Sequence, residues 1–171
     1  MYSNQTGSAN TAVGMLALRS NISSFYNTAL GWQSMYLNTD GTHNTGVGAN
    51  ALFNNTAGIY NTSVGVNSLI SNSTGNNNVA MGVETLNNNS SGNDNTAIGT
   101  AALKANIVSG NVAVGKDALL SNTNGLYNTA SGSFALRGNT NGSYNSAFGY
   151  QALFTNTDGA NSGEYNSAIG V

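Results

Sequence analysis

The chain is predicted to be a parallel β-solenoid, or β-roll, of about ten seventeen-residue coils, each a short strand plus a second strand or one helical turn. Three observations predict it. A motif opening on Asn returns at near-constant spacing, Gly fills one place in every copy, and Asn, Ser, Thr and Gly stand where charged residues normally stand.

The spacing is the strongest of the three. Units open at Asn10, Asn27, Asn44, Asn61, Asn78, Asn95, Asn111, Asn128, Asn145 and Asn166, in steps of 17 five times, then 16, 17, 17 and 21. Disorder has no reason to keep such a period. The unit reads N-T-A-V-G-x-x-A-L-x-x-N-T-x-G-x-x, and its places are numbered 1 to 17 below. Gly at position 5 runs from Gly14 to Gly170, which calls for positive φ or a close backbone approach. Position 9 is Leu or Met, and position 4 is apolar in all copies but Ser131, so both are expected to point inward. Position 12 is Asn, followed three residues later by Gly in nearly every copy, a turn signature. Apolar residues at positions 6, 9 and 10, such as Trp32, Met35 and Tyr36, have the spacing of a helical turn, so a helical turn and a second strand both remain open there.

One coil cannot bury so small an apolar face, and stability must come from stacking. At the spacing of paired strands, about 4.8 Å, ten coils make a rod of roughly 48 Å. The Asn columns then become ladders: Asn10, Asn27, Asn44, Asn61, Asn78, Asn95, Asn111, Asn128 and Asn145 at position 1, and Asn21, Asn38, Asn55, Asn72, Asn89, Asn106, Asn122, Asn139 and Asn156 at position 12. Each amide has a donor for one neighbour and an acceptor for the other.

Composition narrows the function classes. Charged residues make up 6% of the 171, against about a quarter in an ordinary globular protein. A formal net charge of −2 offers no basic stripe for nucleic acid and no polybasic membrane patch. No apolar run approaches a membrane span, so neither nucleic-acid binding nor membrane insertion is expected. Without Cys there is no disulfide or thiolate site, and without Pro every backbone amide is available to a ladder.

The semi-apolar columns 6 and 10 exceed what one thin coil should expose. Their largest members, Trp32, Tyr36, Phe53, Ile70, Tyr150 and Phe154, are the candidate interface between chains. The last full repeat carries four extra residues, and the segment Ala160, Asn161, Ser162, Gly163, Glu164 and Tyr165 is the candidate recognition loop, because loops that interrupt a regular rod tend to carry contacts.

The core Asn10 to Gly14 (N-T-A-V-G), repeated at Asn95 to Gly99 (N-T-A-I-G), with the following A-L-x-x-N-T-x-G, resembles the repeats of phage and prophage tail fibres found upstream of endosialidase-type chaperone domains. More distantly it is similar to the S-V-A-I-G core of YadA-type trimeric autotransporter heads, whose repeat is shorter. Both resemblances imply a trimeric fibre of parallel β-rolls that serves attachment on a virion tail fibre or cell surface. The array covers 1–171 as one unit and opens and closes in mid-repeat, Met1 to Asn4 matching positions 9 to 12 and Val171 position 6. The expectation is a segment of a longer extracellular fibre, a rod-like spacer presenting a binding tip, with head-to-tail filament assembly as the alternative.

No catalytic, cofactor or metal site is expected. The acids Asp40, Glu84, Asp94, Asp117, Asp158 and Glu164 are scattered over variable columns. Glu84 and Asp117 share position 7 two coils apart, about 10 Å by the coil spacing, with no cleft implied. His43 stands in the position 17 column beside Tyr26, Tyr60, Tyr127, Tyr144 and Tyr165 and reads as a member of that stack. Two further alternatives are an ice-binding solenoid using the position 2 Thr column and a glycan-binding one using the Tyr column.

Overall fold

The computed structural model describes residues 2–156 and 163–170. Ten strands of three residues each, β1 (Thr11–Val13), β2 (Thr28–Leu30), β3 (Thr45–Val47), β4 (Thr62–Val64), β5 (Val79–Met81), β6 (Thr96–Ile98), β7 (Val112–Val114), β8 (Thr129–Ser131), β9 (Ser146–Phe148) and β10 (Ser167–Ile169), form a single parallel sheet in chain order. Pairing joins like positions: Thr45 with Thr62, Gly46 with Ser63 and Val47 with Val64 in the middle, and Ser146, Ala147 and Phe148 with Ser167, Ala168 and Ile169 near the end. The solenoid is therefore in register across the 16-residue and 21-residue steps as well as the regular ones.

Each strand stops at the position 5 Gly, which turns the chain with φ between 119° and 143°. A Cβ on Gly48 would lie 2.6 Å from the carbonyl oxygen of Gly65, so the column is closed to side chains by backbone approach as well as by conformation.

The segment after the strand is neither of the two alternatives the spacing allows. Among the described residues there is no helix, and no second strand forms. Instead positions 7 and 9 take left-handed backbone, as at Asn50 (φ 56°) and Leu52 (φ 53°), and position 17 does the same at Tyr60 (φ 57°). These left-handed residues divide the amides of the segment between the coil behind, the coil ahead and short turns within the coil. Asn50 N–H donates back to Trp32 O at 3.0 Å, Leu52 N–H forward to Ser68 O at 3.1 Å and Asn54 N–H forward to Ile70 O at 3.0 Å, while Ala51 and Asn55 close short turns onto Gly48 O and Leu52 O. A left-handed Leu costs of the order of 1–2 kcal/mol, and the inter-coil bonds and the buried side chain offset it.

The core also differs from expectation. A three-residue strand alternates out, in, out, so position 3, between two outward neighbours, faces the interior. Ala29, Ala80, Ala97, Ala113, Ala130 and Ala147 are fully buried there, whereas no position 4 residue is buried: Val47, Val64 and Ser131 are half-buried and the others exposed, Val13 at 55% and Ile169 at 89%. The interior is Ala at positions 3 and 8 packed on the position 9 column, Leu18, Met35, Leu52, Leu69, Leu86, Leu103, Leu119 and Leu136, each wholly buried. One long side chain per coil fills the lumen, and no room is left for a Val beside it.

Two substitutions separate this packing from the reverse parity. Ala97→Leu overfills a closed lumen and should destabilise by about 1–3 kcal/mol or more, whereas Ile98→Ala in the monomeric chain should cost less than about 1 kcal/mol. Leu69→Ala, which empties one whole layer, should cost about 2–5 kcal/mol. Urea unfolding followed by circular dichroism checks all three.

Candidate interaction surface

Beside the apolar lumen runs a polar one built by the two Asn columns. At position 1, each Asn Oδ1 accepts the backbone N–H of the next Asn at 2.9–3.1 Å, from Asn10 up to Asn166. Its Nδ2 donates to the position 15 carbonyl of its own coil, as Asn44 does to Gly58 O at 2.7 Å, closing the coil across fourteen residues. Asn55, at position 12, donates to the same Gly58 O at 3.0 Å and to Asn38 Oδ1 at 2.7 Å. A side chain at Gly58 would collide with Asn55 Oδ1 and with Gly75 O, 2.5 Å away, so Gly keeps this doubly bonded carbonyl accessible. The buried asparagines thus tie the turn to the strand.

The position 12 ladder has one missing rung. Links run from Asn4 to Asn89 and again from Asn106 to Asn156, at 2.7–3.4 Å. Between Asn89 and Asn106 the coil of residues 95–110 is one residue short, Asn106 keeps its bond to the turn carbonyl, Val108 O, but not the rung, and Asn89 Oδ1 is left buried without a partner.

Outside, three surfaces are distinct. The strand face presents position 2, Thr, Val or Ser, and position 4, apolar at every strand but β8. Position 6 extends it with Met15, Trp32, Val66, Val83 and Tyr150, each at least 44% exposed. Positions 2 and 4 carry no charged residue, and position 6 carries only Lys116. Of the candidate interface residues, Trp32 and Tyr150 lie on this exposed margin. Tyr36, Phe53, Ile70 and Phe154 at position 10 are half-buried. The Tyr36 and Phe53 rings stack at 5.0 Å and 4°, Arg19 lies over Tyr36 at 5.3 Å, and Arg137 over Phe154 at 5.7 Å. Column 10 is therefore largely consumed by contacts along its own rod, and the apolar surface that remains outward is position 6 together with the strand face, whose position 4 residues the sequence predicts to lie inside.

Position 17 carries rings on the opposite edge of the coil. Tyr26, His43 and Tyr60 follow one another at 5.0 and 4.8 Å, with Phe25 edge-on to the first two, and Tyr127, Tyr144 and Tyr165 follow at 5.5 and 5.0 Å. Of the candidate recognition loop, Ala160, Asn161 and Ser162 lie outside the described residues. Gly163 occupies the regular position 15, accepting the amides of Asn145 and Asn156, and Tyr165 the regular position 17. The extra residues of this repeat therefore fall before Gly163.

Glu84 pairs with Lys104 at 2.8 Å on the surface rather than facing Asp117, and among the described residues no three His, Cys, Asp or Glu side chains group as metal ligands. No helix there is long and apolar enough to cross a membrane.

Comparison with family models, with curated proteins and with solved structures finds no match.

The missing rung is open to direct repair. Inserting Thr between Ile107 and Val108 restores a seventeen-residue coil and should let Asn106 reach Asn89 Oδ1, raising local stability by about 1 kcal/mol, whereas Asn72→Ala should lower it by about 1–3 kcal/mol. Hydrogen exchange of the position 12 amides on either side reads both changes.

Proposed function

We propose that the chain is a rod-like segment of an extracellular structural or adhesive fibre, in which copies lie side by side along the strand face. The observation that supports it is the uncharged apolar stripe along β1 to β10. By strand and coil spacings it covers roughly 600 Å², which approaches the share of one partner in a stable protein interface. Its relief repeats once per coil. Only a partner with the same period can match it along its whole length, and another copy of this chain has that period by construction. Parallel chains around a common axis keep equivalent coils level, and three of them form the trimer that the tail-fibre and autotransporter resemblances imply.

In this reading the molecule acts by length and stiffness. Each coil adds about 4.8 Å of reach for seventeen residues, and the axial hydrogen bonds leave the backbone little freedom to bend. Catalysis has no role in it. A virion or a cell surface is the setting that the resemblance favours, and the low charge suits a rod whose association is driven by apolar contact rather than by steering.

Sedimentation equilibrium tests the association. The chain should sediment as a trimer or larger assembly, and the pair Met81→Lys with Ile98→Lys, both outward on the strand face, should yield monomers with an unchanged circular dichroism spectrum. A wild-type chain that stays monomeric at all accessible concentrations overturns the proposal. Electron micrographs separate lateral trimers from filaments that grow end to end.

A further inference from the structure

The position 17 edge is interrupted at its middle, and in a concerted way. From Phe25 to Tyr60 and again from Leu126 to Tyr165, positions 16 and 17 bring rings or aliphatic groups to nearly every coil. In the three coils between, the pairs are Asn76 and Asn77, Asn93 and Asp94, and Ser109 and Gly110. The edge changes there from an aromatic ridge to a window of amides, a carboxylate and a hydroxyl.

Ring geometry makes the rims of this window unlike the rest of the ridge. Within a ladder each ring covers the face of the next at about 5 Å, so only ring edges meet solvent. A face is released only where a ladder ends. Tyr60, 54% exposed, has His43 on one side and the shorter Asn77 in the following coil on the other. Tyr127 stacks on Tyr144 and lies across Gly110, where a Cβ would come 2.5 Å from its Cδ1. The missing side chain at Gly110 is what lets that ring reach down onto the floor. The two rims are four coil steps apart, about 19 Å.

The floor is already organised. Asn77 Nδ2 donates to Asp94 Oδ1 at 3.1 Å, and Asn93 Oδ1 accepts from the backbone N–H of Asn76 at 2.8 Å. The amides of Asn77, Asp94 and Gly110 are spent on Ile59 O, Asn76 O and Asn93 O, so a peptide strand cannot add to the backbone here. Arg19, Lys104, Lys116 and Arg137 all stand in columns 6 and 10, leaving the carboxylate of Asp94 as the charge of the window, which disfavours phosphates and other anions.

We infer that this window is a carbohydrate subsite for a short neutral oligosaccharide lying along the rod. Its C–H face would rest on the released face of the Tyr60 ring, the exposed edge of Tyr127 would border its far end, and its hydroxyl groups would bond to Asp94 and Asn77. An aromatic face combined with a carboxylate and an amide matches what a pyranose offers, apolar faces and an equatorial belt of donors and acceptors. The site lies on columns 16 and 17 and does not use the strand face, so it does not depend on the fibre proposal, and its failure leaves chain association untouched.

The experiment screens the wild-type chain on an array of neutral, amino-sugar and sialylated glycans, then titrates the neutral hits, alongside maltohexaose and chitohexaose, against the isotope-labelled protein at millimolar concentrations. At least one neutral glycan should bind, with amide shifts centred on Tyr60, Asn77, Asp94, Gly110 and Tyr127. Asp94→Ala and Tyr60→Ala should each weaken it by about tenfold or more, while Tyr26→Ala, at the far end of the ladder, leaves it unchanged. Circular dichroism and sedimentation, expected to be unaltered in all three variants, show that the rod is intact. Absence of binding to any neutral glycan, preference for sialylated ones, or binding that survives Asp94→Ala and Tyr60→Ala overturns the inference.

Discussion

A hydrogen bond directed along the rod axis makes so thin an interior tolerable. A seventeen-residue coil encloses one Leu and two small residues, far too little apolar surface to hold its own backbone in place. The coil is stable because nearly every amide facing up or down meets a carbonyl of the adjacent coil, and because the two corners where the backbone turns away are completed by Asn44 and Asn55 converging on Gly58 O. The asparagines do what a strand would otherwise do. They supply donors and acceptors at the coil spacing in places where the chain is too curved for a ladder of its own.

This arrangement explains why repetition is strict in some columns and loose in others. Positions 1, 12 and 15 meet their counterparts above and below as well as each other, so a change there must suit three coils at once. Positions 13, 14 and 17 join adjacent coils mainly through backbone amides and carbonyls that any side chain leaves free, as Thr56 N–H does to Ser73 O and Tyr60 N–H to Thr42 O, and Tyr, His, Asn and Asp all occur at position 17. The 16-residue coil shows the same rule from the other side. Losing a residue between Asn106 and Val108 leaves the position 1 ladder whole, Asn111 N–H still reaching Asn95 Oδ1 at 3.0 Å, and breaks only the position 12 rung beside the deletion.

The period, the parallel stacking and the Asn and Gly columns were visible in the residues, because registry forces equal side chains into equal environments and so writes itself into the spacing. Parity was not. In a strand as short as Ala97–Ile98 and its Thr, an apolar residue next to Gly reads as core on hydrophobicity alone, and only the width of the lumen, set by Leu103, decides that Ala97 enters and Ile98 does not. The left-handed residues at positions 7 and 9 were hidden for a related reason. Asn50 is an ordinary occupant of such backbone, but Leu52 and its equivalents are not, and no local preference announces a Leu that is held there by tertiary hydrogen bonds and burial. The helical spacing of Trp32, Met35 and Tyr36 is real; it arises from a flattened turn in which these side chains point outward, inward and along the stack in succession.

Parity also decides what kind of object the rod is. Had Val13, Leu30 and their equivalents filled the interior, the strand face would present Ala in their place and lose most of its apolar relief. With Ala inside, the same residues form an outward stripe of uniform period, and the small interior and the apolar surface become two consequences of one choice. A wider lumen would bury more of this surface within the single chain and leave less of it outward. The thin coil leaves part of its apolar surface unburied within the chain, and in the proposed fibre that surface would stabilise the rod only once copies are brought together.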